Sequence, residues 1–235
     1  MQKPDLASHN SSTDDSGADE RPQDALRITE IFLSLQGESR TVGFPTVFVR
    51  LTGCPLRCQY CDTAYAFTGG EWRGLQSVLD DVASYGSNYV TVTGGEPLAQ
   101  KQCISLLNQL CDKGYQVSLE TSGALSVEEV DDRVVKVMDI KTPASGEVDR
   151  NRLANIKFLT ANDQVKFVIC DQADYEWAKG VIDEYNLLEK CEVLMSPSYS
   201  QLEADKLAEW ILQDRLPVRF QLQLHKILWG DQRGR

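Results

Sequence analysis

No apolar run in these 235 residues approaches the roughly 20 needed for a membrane-spanning helix, and no basic-then-apolar signal layout opens the chain. A cytoplasmic protein with no membrane partner is therefore expected. Basic excess is missing too: 24 Lys and Arg stand against 35 Asp and Glu, a net charge of −11. That sign is a poor electrostatic footprint for nucleic acid, so any cations that matter should be few and local, with Arg50, Lys141 and Lys166 as candidates. Seven cysteines, an odd number with three of them bunched, argue against a secreted disulfide framework and for a reducing compartment.

Apolar residues are scarce in 1–24, where Ser, Asp, Asn, Pro and Gln dominate. Such a stretch cannot offset the entropy lost on ordering and is expected to be a disordered tail. The remaining 25–235 should form one catalytic domain, and a chain that is 42% hydrophobic over its full length has enough apolar residues for its core.

From Arg27 the pattern alternates. Strands are predicted around Ile28–Leu35, Thr46–Leu51, Tyr89–Thr93, Tyr115–Leu119, Val134–Ile140, Gln164–Ile169, Glu192–Met195 and Val218–Leu224. Helices are predicted from Leu75 to Ala83, from Cys103 to Leu110, over 173–186 and over 202–214. Strands alternating with helices imply parallel pairing through right-handed crossovers, hence an α/β barrel or open sheet. About six such units are too few for a complete eight-stranded barrel.

Cys54, Cys58 and Cys61, spaced C-x3-C-x2-C, follow the second of these strands directly. Fe–S clusters are held by cysteine thiolates, usually four, so a compact three suits a [4Fe–4S] cluster with one iron open to another ligand. Structural zinc wants four Cys or His in paired knuckles. Here the next cysteine is Cys103 and the next histidine His225. Other polar motifs also follow strands: Thr93–Pro97, Glu120–Gly123, Asp139–Lys141, Cys170–Asp171 and Ser196–Tyr199. All should gather at the carboxyl rim, where parallel α/β proteins build their active sites.

Cys103 and Cys111 lie two helical turns apart among leucines, as buried free thiols do. Cys170 and Cys191 flank a helix, and a second cluster from these four is not expected. His9 falls in the tail. His225 closes the last strand, either paired structurally or edging a pocket, and Leu224–Trp229 reads as core packing.

The cysteine triplet, with the aromatic Tyr60 just before its last member, and Thr93-Gly94-Gly95-Glu96-Pro97 resemble the radical S-adenosylmethionine (SAM) superfamily. That resemblance implies an incomplete (β/α)6 barrel, with short or degraded helices around 124–132 and 142–160. It also implies a [4Fe–4S] cluster on Cys54, Cys58 and Cys61 and a SAM site built from Tyr60, Asp62, Gly94, Gly95, Glu96, Ser122, Lys141, Ser196 and Ser198. In it the glycines would let backbone approach the ligand. Glu96 would accept from the SAM ammonium, and Lys141 would face an anionic ligand.

Leu35-Gln36-Gly37-Glu38, Arg50 and Cys61-Asp62-Thr63 narrow the resemblance to the 7-carboxy-7-deazaguanine synthase family of the queuosine and deazapurine pathway. It covers the body from about residue 27 to Trp229. The implied reaction contracts 6-carboxy-5,6,7,8-tetrahydropterin to 7-carboxy-7-deazaguanine and releases ammonia. In it a 5′-deoxyadenosyl radical takes a hydrogen from C6 and later returns it, so SAM is reused. A carboxylated pterin suits a bidentate Arg50, with Gln36 and Glu38 reading its polar edge. Leu35, Gly37 and Thr93 complete the implied substrate set, and the Thr63 hydroxyl would ligate Mg²⁺. A homodimer and an electron donor such as flavodoxin or ferredoxin are the implied partners. The chain departs from the family by continuing into Gly230–Arg235, which puts any contact of a terminal carboxylate in doubt. Two other readings are a radical SAM activase acting on a partner protein and a non-catalytic Fe–S or zinc module.

Overall fold

Alternating inward and outward side chains let Ala25–Leu35 (β1) and Pro45–Leu51 (β2) pair as an antiparallel hairpin, with Glu71–Gly74 (β3) on the far edge of β1. This computed structural model describes residues 24–199 and 201–235, so the expected tail lies outside the described residues except for Asp24. From β2 onward every pairing is parallel: Tyr89–Gly94 (β4), Gln116–Thr121 (β5), Val135–Asp139 (β6), Gln164–Ile169 (β7), Glu192–Pro197 (β8) and Arg219–Phe220 (β9). The order is β3-β1-β2-β4-β5-β6-β7-β8-β9. The sheet does not close on itself, and β2 with β4 to β8 supply the six strands of an incomplete barrel.

Helices cover the convex face. Leu75–Ser84 (α1) and Gln102–Asp112 (α2) bury Val78, Leu79, Leu106 and Leu110 on Val47, Val49, Val90, Val92 and Leu119. Gln172–Glu184 (α3), the single turn Leu187–Lys190 (α4) and Ala204–Asp214 (α5) bury Tyr175, Ala178, Leu187 and Leu207 with Val165, Phe167, Val193 and Met195. Because side chains alternate across a strand, the same strands turn Arg50, Thr93, Glu120, Asp139 and Lys166 to the concave side. Among the described residues no helix is long and apolar enough to cross a membrane.

The helices expected to be abbreviated are so. No helix joins β5 to β6, and only short 3-10 turns at Pro143–Ser145, Val148–Arg150 and Leu153–Phe158 join β6 to β7. Side chains replace helical hydrogen bonds there. Asn155 Nδ2 donates to the carbonyls of Gly123 (3.0 Å) and Leu125 (2.7 Å), and Asp174 accepts from Ala144 N at 2.9 Å.

The barrel's open side is bridged by the β1–β2 loop. Ser39 N donates to Gln221 Oε1 (2.7 Å), Gln221 Nε2 returns a bond to Ser39 O (2.9 Å), and Arg40 N donates to Gln164 Oε1 (3.0 Å). This draws Gln36, Gly37 and Glu38 across the interior.

The C-terminal end differs from expectation. Only Arg219–Phe220 is strand, and Leu224–Trp229 forms a helix (α6) that buries none of its residues; Ile227 is 61% exposed. Short, largely apolar runs fit helix and strand alike, and among the described residues no layer buries this one.

Candidate active site

The concave face encloses a cavity of about 710 Å³, within the range of small-molecule sites. Cys54, Cys58 and Cys61 line it from the loop after β2, and Gly94, Gly95, Ser122, Lys141 and Ser198 from later strand ends. Leu35, Gln36, Gly37, Glu38 and Arg50 line it from the hairpin side and Thr93 from β4, and Tyr60, Asp62 and Thr63 also border it. The structure thus brings these expected residues to one chamber.

Two expected residues do not line it. Glu96 is fully buried, and its carboxylate accepts from Leu98 N (3.0 Å), Ser122 N (2.8 Å), Thr121 Oγ1 (2.9 Å) and Ser122 Oγ. Those donors occupy the lone pairs expected to meet an ammonium, so Glu96 braces the end of β5 under the chamber. Ser196 is buried in β8 and its Oγ has no hydrogen-bond partner.

Gly94 and Gly95 are glycines for a reason inside the protein. Gly94 has φ +151°, and a Cβ there would lie 2.2 Å from Leu51 O. A Cβ on Gly95 would lie 2.3 Å from Gly53 O and 2.6 Å from the Cys54 Cβ. The end of β4 therefore packs directly on the cysteine loop, fixed by Glu96 N donating to Gly53 O at 2.8 Å.

The three thiols are free and half-buried. Burial pushes all three up, Cys58 to about 11, with nearby Lys141 pulling the other way. Leu56 N donates to Cys54 Sγ at 3.4 Å, a contact that favours thiolate. Among the described residues no three His, Cys, Asp or Glu side chains converge on a single-ion site. Three half-buried thiols on one loop bordering a roomy chamber supply the soft sulfur donors a cluster takes, and the residues fit that group. They fit SAM as well: the Tyr60 hydroxyl and Asp139 Oδ1, both on residues that line the chamber, are buried without hydrogen-bond partners. At the mouth, Thr63 Oγ1 donates to Asp62 Oδ1 at 2.8 Å, two oxygens adjacent as a hard cation prefers.

The floor carries alternating charge. Lys166 Nζ lies 2.5 Å from Glu38 Oε2 and 3.5 Å from Asp139 Oδ2, and Lys141 Nζ lies 3.0 Å from the same Asp139 oxygen. Burial works against ionising Glu38, but the Lys166 charge and hydrogen bond prevail and hold its carboxyl at about 2. Lys166 is raised well above 10.5 because its two carboxylates outweigh desolvation. Glu120 goes the other way: burial, then the negative charge of Glu38, raises it. It accepts from Thr93 Oγ1 (2.9 Å) and Gln36 Nε2 (3.3 Å).

Glu120, Asp139 and Gln223 also line the chamber, with no ligand role expected of them from sequence, and so does His225, for which a pocket edge was one of two expectations. For Glu120 and Asp139 the usable signal is polar residues at alternate positions of otherwise apolar strands. Nothing local marks Gln223, whose Nε2 donates to Glu38 Oε1 at 2.7 Å. His225 edges the chamber rather than pairing in the core, so close to Gly37 that a Cβ there would lie 2.3 Å from its Nδ1.

The sequence profile described as the Radical SAM superfamily matches residues 48–186. A 7-carboxy-7-deazaguanine synthase from Chlorobaculum tepidum is 47% identical over 214 residues, covering 89% of this chain and 97% of that one. Another, from Koribacter versatilis, is 40% identical and covers 87% and 97%. The crystal structure of QueE from Escherichia coli superposes with a TM-score of 0.67 at 21% identity, covering 86% of this chain and 95% of that one. At that identity the superposition speaks for the fold.

Proposed function

Since the chain belongs to the 7-carboxy-7-deazaguanine synthases of the radical SAM superfamily, we propose that its cavity contracts 6-carboxy-5,6,7,8-tetrahydropterin to 7-carboxy-7-deazaguanine and ammonia. It is a lyase that works with a [4Fe–4S] cluster and S-adenosyl-L-methionine. When bound, these two supply the one-electron chemistry that removes a hydrogen atom at the pterin C6 and returns it after ring contraction.

The observation that carries the reading is that the three thiols, Arg50, Glu38 and Glu120 line one chamber. Cys54, Cys58 and Cys61 hold the cluster. Tyr60, Asp62, Gly94, Gly95, Ser122, Lys141 and Ser198 surround SAM, with Ser196 behind them in β8. Glu96 holds the Ser122 side of that pocket in place rather than touching the ammonium. Arg50 takes the substrate carboxylate. Gln36, Glu38, Glu120 and Thr93 face the guanidine-like edge of the pterin, where ring N–H groups need acceptors, and Leu35 and Gly37 form the adjoining wall. Lys166 stays protonated and keeps Glu38 charged and aimed. Thr63 would hold Mg²⁺ through its hydroxyl, beside the Asp62 carboxylate, and the ion would supply a hard, oxygen-seeking positive charge at the mouth. The catalytic domain spans 25–235 and works in the cytoplasm as a homodimer, fed by a flavodoxin or ferredoxin.

The test is anaerobic. Protein reconstituted with iron and sulfide receives dithionite, SAM and the carboxylated tetrahydropterin. The deazaguanine forms, reaches full rate only with Mg²⁺, and is lost on replacing Cys54, Cys58 or Cys61 by Ala. If 5′-deoxyadenosine accumulates without deazaguanine, the substrate reading fails and a partner protein becomes the target.

A further inference from the structure

Arg50 is not loose in the cavity. Its Nε donates to Glu30 Oε1 at 2.7 Å, and Tyr65 OH donates to that same oxygen at 2.8 Å. Its guanidinium carbon lies 5.9 Å from the Tyr65 ring centroid and 5.7 Å from that of Phe32. No hydrogen bond is made by its two terminal amino groups among the described residues. One edge of the fork is thus tied back, leaving the terminal nitrogens for a ligand.

The backbone is shaped for this. Ile28 pairs with Leu51, whereas Glu30 pairs with Arg50, so β1 carries one extra residue, Thr29, at a bulge. Two residues on β1 are matched by one step on β2. Without that insertion Thr29 would stand opposite Arg50 and Glu30 would turn to the other face. Bulges commonly re-aim side chains beside active sites. Tyr65 lies in the 3-10 turn that leaves the cysteine loop, so the same hydrogen bonds link that loop to Arg50.

We propose that Glu30 and Tyr65 are positioning residues that hold Arg50 by Nε, presenting its two terminal amino groups as a preset fork for the substrate carboxylate. This rests on the reading that Arg50 binds that carboxylate. Glu30 also nearly neutralises Arg50 beyond a few ångströms, so the pair rewards a carboxylate that meets the fork and only weakly attracts anions in general. A planar two-point contact gains most when the guanidinium is already oriented.

Equilibrium dialysis of the cluster-loaded protein with SAM tests this, using two probes: 6-carboxypterin and pterin without the carboxylate. Glu30→Gln should weaken 6-carboxypterin about ten-fold, equivalent to about 1.4 kcal/mol. Pterin binding should stay within about two-fold. Tyr65→Phe, which deletes only a hydroxyl, should weaken 6-carboxypterin about three-fold with the same selectivity. In an Arg50→Met background Glu30→Gln should add nothing further, since it acts through the missing group. Equal weakening of both probes by Glu30→Gln and Tyr65→Phe would mean a general structural role and overturn the proposal. So would unchanged or tighter 6-carboxypterin binding by those variants while Arg50→Met still abolishes carboxylate selectivity. If Arg50→Met leaves the preference for the carboxylated probe intact, the reading of Arg50 itself is wrong and the proposal falls with it.

Discussion

Lys166→Met removes the cation that keeps two buried carboxylates apart on the chamber floor. Glu38 has an ordinary carboxyl value of 4.5 and is held at about 2. At about 1.36 kcal/mol per pH unit that gap corresponds to about 3 kcal/mol of folded-state stabilisation. Removing one partner of a buried ion pair costs about 3–5 kcal/mol in general, so two routes agree. Asp139 suffers less, because Lys141 remains 3.0 Å away. The sign with pH follows. A depressed carboxyl gives stability that is present above 4.5 and lost as pH falls through about 2. In the variant, burial without a cation pushes Glu38 above its ordinary value, so the penalty is largest at neutral pH and shrinks as acid protonates it. Urea unfolding followed by tryptophan fluorescence should show a loss of about 3 kcal/mol at pH 7, or a Tm lower by about 6–12 °C. The gap to the parent should narrow by pH 5. A loss under about 1 kcal/mol, or a gap equal at both pH values, would refute the reasoning.

Gly95→Ala should expel the cysteine loop, since its methyl would sit 2.6 Å from the Cys54 Cβ. Iron bound per chain after reconstitution, and the thiolate-to-iron absorption band, should fall severalfold while helix content by circular dichroism is kept. Glu96→Gln replaces a carboxylate oxygen that accepts hydrogen bonds with an amide that donates, facing donors at Thr121 and Ser122. A buried mismatch of that kind costs about 1–3 kcal/mol. Chemical denaturation measures it, and SAM affinity by dialysis should drop with it as the Ser122 end of β5 loosens.

Local motifs were legible and long-range ones were not. Cys54, Cys58 and Cys61 declare themselves within eight residues, and the strands they follow declare themselves by alternation. Arg50 and Glu38, expected from their local motifs to face a substrate, line the chamber. What the sequence hid is which group satisfies which. Glu96 reads as an acceptor waiting for a ligand, yet Thr121 and Ser122 fill it from 25 and 26 residues away. Lys166 finds Glu38 across 128 residues only because the β1–β2 loop crosses the barrel's open side. Gly95 looks like room for a ligand, and the structure shows it is room for Gly53. The run Leu224–Trp229 misled because four apolar residues in six carry no sign of whether a layer will cover them.

The most direct test counts turnovers. Reduced, cluster-loaded protein with Mg²⁺, a large excess of 6-carboxy-5,6,7,8-tetrahydropterin and SAM at only a few equivalents should yield many molecules of 7-carboxy-7-deazaguanine per SAM. Ammonia should form in equal amount and most of the SAM be recovered intact. Methionine and 5′-deoxyadenosine formed one for one with product, or SAM cleavage with no deazaguanine, would contradict the account.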